Sequence, residues 1–217
     1  MPHALTESDH LRARRLLMRR DPVLAAIIRR VGPCRLFERQ RADPFAALIE
    51  AIVWQQLSTK AAATIHGKLL ALFDGGRPPS PAELLAAPVP ALRAAGLSRA
   101  KVTYLHDLAA KVGDGTVRLA TLDALDDEAV VATLTQVKGI GRWSAEMFLM
   151  FRLHRPDVLP VGDLGIVRAF QRAYRLRKPP SPARMQRIAE AWRPFRSVAS
   201  WYLWASLENA PMRNEGN

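Results

Sequence analysis

The chain has 217 residues, 49% of them hydrophobic, with 32 Lys and Arg against 20 Asp and Glu and a formal net charge of +12. A single cysteine, Cys34, excludes an internal disulfide, a four-cysteine zinc site and a cysteine-ligated iron–sulfur cluster, and the absence of any run of 18 apolar residues excludes a helical membrane span. The positive balance attracts polyanions such as DNA or RNA, or else records an Arg-rich proteome.

Helical periodicity runs through nearly the whole sequence. The stretch before about residue 40 carries an Arg-rich face of Arg12, Arg14, Arg15, Arg19 and Arg20. Asp43-Pro44 then opens a helix with a cap and a first-turn proline, and Phe45, Leu48, Ile49, Ile52 and Val53 follow at three- and four-residue steps. That helix is expected to end near Trp54-Gln55-Gln56-Leu57-Ser58, where Ser58 or Thr59 caps the next one. Ser80-Pro81-Ala82-Glu83 has the form of a capping box, and Ser98 and Asp126 each precede a further apolar-periodic run. A glycine-containing connection is expected over 113–123. Asp163 precedes Ile166, Val167, Phe170 and Tyr174, and Ser181-Pro182 opens a last long element expected to run through Ile188, Trp192 and Trp201 to Leu207. Alternating strand patterns are nearly absent. The chain reads as all-α, with roughly ten helices.

The most informative stretch is Leu134-Thr135-Gln136-Val137-Lys138-Gly139-Ile140-Gly141-Arg142-Trp143-Ser144-Ala145. A helix runs into a Gly-x-Gly turn and a second helix leaves it, so free amides point at whatever approaches the turn. This is the layout of a helix-hairpin-helix, which holds a nucleic-acid backbone without reading bases. Asp163 lies 22 residues beyond Gly141. On pattern alone it is either a helix N-cap or an acid applied to the held strand, and the two roles are compatible.

Four blocks resemble the helix-hairpin-helix superfamily of DNA glycosylases, and within it the AlkA-type 3-methyladenine DNA glycosylases. They are Ile52-Val53-Trp54-Gln55-Gln56-Leu57-Ser58, the hairpin Val137–Ala145, Val161-Gly162-Asp163-Leu164-Gly165-Ile166, and Trp192-Arg193-Pro194-Phe195-Arg196-Ser197 with Trp204 beyond it. The likeness spans about Asp43 to Leu207. It implies two helical subdomains flanking an active-site cleft, a central one over about 45–155 and a second from about 1–44 plus 156–217, without the N-terminal β domain of larger members.

The resemblance also assigns roles. Asp163 matches the catalytic aspartate, whose fixed carboxylate stabilises the oxocarbenium-like sugar as a flipped-out base leaves. Trp143 stands where bifunctional members carry a nucleophilic lysine, which implies a monofunctional enzyme that uses water. Trp143, Met147 and Trp204 are expected in the base pocket, where an indole face attracts a cationic alkylated purine; without the resemblance both tryptophans read equally well as core. Gln55, Gln56 and Leu57 match the wedge that fills the gap left by the flipped base, against a plain reading as a solvated helix end. Lys138, Gly139, Ile140, Gly141 and Arg142 are expected on the DNA backbone. The carbonyls of Thr135, Val137 and Ile140 are implied as ligands of a monovalent cation, Na or K; no other cofactor is expected.

Five histidines, His3, His10, His66, His106 and His154, show no metal-ligand spacing. Trp54, Trp192 and Trp201 are expected in the core, and Cys34 as a small buried apolar residue. With a polar, basic first 20 residues and no signal-peptide core, a cytoplasmic, nucleoid-associated monomer acting on damaged double-stranded DNA is expected. Two alternatives stay open: a non-catalytic backbone-binding module, and a superfamily glycosylase for another lesion.

Overall fold

A computed structural model describes residues 7–36 and 43–208; His3 lies outside them. The described residues form twelve α-helices and three short 3-10 turns, with no strand. They fall into two compact units, one of residues 43–148 and one of residues 7–36 with 149–208.

The first unit holds α3 (Pro44–Trp54), α4 (Thr59–Leu70), α5 (Pro81–Ala86), α6 (Val89–Ala94), α7 (Arg99–Gly113), α8 (Asp127–Leu134) and the start of α9 (Arg142–Phe151). The expected caps form: Asp43 accepts from Ala46 N, Ser58 from Ala61 N, Ser98 from Lys101 N and Asp126 from Ala129 N, and Ser80 with Glu83 closes a full capping box. Helix α7 is the hub. It packs on α3, α5 and α6, and buries Val102, Leu105, Leu108 and Ala109 at helical spacing. The expected connection over 113–123 is shorter than anticipated, because α7 continues to Gly113 and a 3-10 turn begins at Leu119.

The second unit holds α1 (Glu7–Arg20), α2 (Pro22–Val31), α10 (Leu164–Ala173), α11 (Pro182–Ala189) and α12 (Arg196–Glu208). Its core joins Leu17, Leu24, Ile28, Ile166, Phe170, Trp192 and Tyr202. Phe170 stacks on Trp192 at 5.2 Å between centroids and on Tyr174 at 5.7 Å. Asp21 is only 6% exposed. One oxygen caps α2 by accepting from Val23 N and Leu24 N, and the other accepts from Tyr174 Oη at 2.5 Å and Trp192 Nε1 at 2.8 Å. The single long element expected from Ser181 to Leu207 is broken. Helix α11 ends at Ala189, a 3-10 turn covers Glu190–Trp192, and α12 starts only at Arg196. Pro194 has no amide and its ring excludes a continuous helix. Cys34 is partly rather than fully buried, at the edge of this core.

Candidate active site

Asp163 is the N-cap of α10, as its position before an apolar-periodic run predicts. Its Oδ1 accepts from Ile166 N at 2.7 Å and from the indole Nε1 of Trp204 at 2.8 Å. Two donors converging on one oxygen hold the carboxylate plane in a single orientation. The close approach depends on Gly165, where an added Cβ would lie 2.9 Å from Asp163 Oδ1 and 3.1 Å from the Trp204 indole. Trp204 also stacks with the ring of Phe151, at 6.0 Å between centroids and 24°. Leu164, directly after Asp163, is 72% exposed.

The block Trp192–Ser197 acts on the chain that leads into Asp163. Arg193 and Arg196 both hold Asp157: Arg196 Nε donates to Oδ1 at 2.8 Å and Arg193 Nη1 to Oδ2 at 2.6 Å. Ser197 Oγ, fully buried, donates to Arg155 O at 2.6 Å and accepts from Val158 N at 2.9 Å. The loop before Asp163 is thus fastened to the first turn of α12, the same helix that presents Trp204.

In the first unit, the hairpin joins α8 to α9. Gly139 sits at φ 82°, and an added Cβ there would overlap the ring of Tyr104 on α7. Gly141 has a different character: nothing lies within 4 Å of where its Cβ would be. Lys138 keeps its ammonium largely exposed, 3.9 Å from Asp107, while its amide donates to Asp107 Oδ2 at 2.8 Å. Burial pushes the Asp107 carboxyl up, but hydrogen bonds and charge from Lys111 and Lys138 outweigh it and the net shift is downward. Arg142 forms a two-pronged pair with Glu128, at 2.9 and 2.7 Å, on the surface. Trp143, 45% exposed, and half-buried Met147 lie one turn apart on α9. Ile140 is buried and anchors the turn.

The segment after α3 separates the three residues expected to act as a wedge. Gln55 turns its amide onto the hairpin, where Nε2 donates to Gly139 O at 2.9 Å. Gln56 takes the left-handed conformation, φ 56°, and it and Leu57 are exposed. Lys101, Tyr104, Asp107 and Lys111, all on α7, escape a motif-based reading because their spacing is that of any amphipathic helix. Of the tryptophans expected in the core, Trp192 is fully buried, Trp54 and Trp201 partly so.

These two units match known proteins. A family model described as HhH-GPD superfamily base excision DNA repair protein covers residues 49–194. DNA-3-methyladenine glycosylase 1 of Schizosaccharomyces pombe is 35% identical over 188 residues, 86% of this chain and 82% of that protein. A solved S. pombe 3-methyladenine DNA glycosylase in complex with abasic DNA superimposes with a TM-score of 0.82 at 33% identity, covering 92% of this chain and 98% of the other. A DNA-3-methyladenine glycosidase from Bacillus halodurans does so at 0.80 and 34% identity, over 89% and 88% of the two chains. The chain belongs to the HhH-GPD superfamily of base excision DNA repair proteins, and the relatives it resembles there are 3-methyladenine DNA glycosylases.

Proposed function

We propose that this glycosylase is monofunctional and releases alkylated purines from duplex DNA by hydrolysis, with Asp163 as the catalytic charge. The observation that carries the reading is the doubly anchored Asp163 carboxylate. A carboxylate that cannot rotate away is pre-organised for the positive charge that develops at C1′ as the base departs, and needs no rearrangement at the moment of reaction. The base must first leave the stack. The hairpin, with Gly141 open to approach and Lys138 exposed beside it, holds the phosphates while exposed Gln56 and Leu57 enter the gap.

Trp143 replaces the amine that a lyase would use, so water completes the reaction. Trp204, bonded to Asp163, contributes to the base pocket, where an aromatic face favours purines made cationic by alkylation. We place a monovalent cation at the carbonyls of Thr135, Val137 and Ile140, of which Val137 O also accepts from Ile140 N at 3.1 Å; bound there, it would add positive charge facing a phosphate.

Chromatography of bases released from methylated duplex DNA tests the reading. Free 3-methyladenine and 7-methylguanine should appear, and borohydride should trap no protein on the DNA. Tight binding with no base released would leave a non-catalytic backbone-binding protein, and a trapped adduct would mean an amine nucleophile.

A further inference from the structure

One side of α7 touches both of the segments that the glycosylase reading places on DNA. Lys101, Tyr104, Asp107 and Lys111 follow one another at three- and four-residue steps and so share a face. Lys101 Nζ donates to Val53 O at 2.6 Å and Gln55 O at 2.8 Å, taking carbonyls that the end of α3 leaves without helical donors. Its charge sits at the negative end of that helix. Tyr104 fills the space against Gly139 that a side chain would need. Asp107 takes the Lys138 amide, and Lys111 joins Asp107 at 2.7 Å to Gln136 O at 2.5 Å. Gln55 closes the loop by bonding Gly139 O. Between Lys101 and Gly139 there is therefore an unbroken path: ammonium, Gln55 carbonyl, Gln55 amide, hairpin carbonyl.

We propose that this face of α7 is a template that sets the Gln56–Leu57 turn at a fixed distance from the hairpin, and that Lys101 is the positioning residue that holds the turn ready to fill the space a flipped base leaves. The proposal rests on the glycosylase reading. Gln56 supports it: a non-glycine residue in the left-handed region persists only where its surroundings over-determine it, and Lys101 fixes the residue immediately before. A turn held in advance spends no binding free energy on its own ordering, so the effect falls on flipping rather than on backbone affinity. The ammonium is committed to two carbonyls and is not offered to DNA, which separates its role from that of exposed Lys138.

Lys101→Met keeps the aliphatic stem and deletes the charge. Single-turnover release of 7-methylguanine from a fully paired duplex should fall about tenfold or more, while release from the same duplex with the lesion in a one-nucleotide bulge, already out of the stack, should stay within about threefold. The fluorescence rise of a 2-aminopurine placed beside the lesion should shrink on the paired duplex only. Lys101→Arg should restore most of both signals, and Gln55→Ala should reproduce the paired-against-bulged split with Lys101 intact. Equal losses on paired and bulged duplexes, or none, would overturn the proposal. If Lys101→Met does not fold by circular dichroism, Gln55→Ala decides: absence of the split overturns the idea. A wild-type protein that releases no base sinks the glycosylase reading, and the 2-aminopurine comparison then judges the template by itself.

Discussion

The indole N–H of Trp204 donates to Oδ1 of Asp163 at 2.8 Å, on the oxygen that also caps α10. An aromatic expected to sense the charge of a damaged base is therefore tied to the acid that performs the chemistry. Its ring, half-buried, also stacks with Phe151. Trp204 can act on the rate by two routes, through the carboxylate and through the base, and the two are separable.

Asp163→Asn should abolish base release while leaving DNA affinity equal or higher. The amide keeps the shape and a capping oxygen but loses the charge that stabilises the oxocarbenium-like state. Single-turnover kinetics on methylated duplex, read beside an equilibrium titration with undamaged DNA, check this. Near wild-type rates would reduce Asp163 to a helix cap.

Trp204→Phe removes the donor and keeps an aromatic face. A hydrogen bond to a carboxylate contributes about 1.5–3 kcal/mol, so release should slow by about 10- to 150-fold. The loss should be the same for 7-methylguanine, which is cationic, and ethenoadenine, which is neutral, because it arises at the acid. Trp204→Ala should slow release further, and more for the cationic base. Unequal losses in the phenylalanine variant would mean that the indole acts chiefly on the base.

The two hairpin glycines should fail differently. Gly139→Ala meets both the left-handed backbone and the Tyr104 ring, and should destabilise the fold by about 1–3 kcal/mol. Gly141→Ala meets no protein atom, so its unfolding free energy should match wild type to within about 0.5 kcal/mol. Its affinity for damaged and undamaged duplex, measured at one salt concentration, should nevertheless drop in parallel. Unchanged binding by Gly141→Ala would remove Gly141 from the DNA-holding surface.

Asp21→Asn should cost about 2–4 kcal/mol in chemical denaturation, with the rate per folded molecule unchanged, because an amide hydrogen would face the Tyr174 and Trp192 donors. Burial, and then the contact with Asp21, pushes the Tyr174 phenol above its ordinary range. Its contribution to stability is complete below a pH of about 10, where the unfolded phenol also stays protonated, and declines as pH rises beyond that. Tyr174→Phe should lessen the alkaline loss of stability; an identical slope would show that the phenol is not linked to folding.

Local chemistry made much of this protein legible from sequence. Helical periodicity announced an all-α chain, and Asp43, Ser80, Ser98, Asp126, Asp163 and Ser181 each cap the helix they were expected to cap, with Ser58 rather than Thr59 capping α4, because a side chain reaching an amide two or three residues on depends on nothing farther away. The Gly-x-Gly turn was readable for the same reason. Tertiary structure alone decided which polar groups meet across long separations: Trp204 with Asp163, 41 residues apart; Gln55 with Gly139, 84 apart; Lys101 with Val53, 48 apart. It also divided Gln55, turned onto the hairpin, from Gln56 and Leu57, left exposed, though the three are adjacent. Side-chain spacing on one helix says which residues share a face. What that face meets is set by how the helices pack, and periodicity carries no information about the partner.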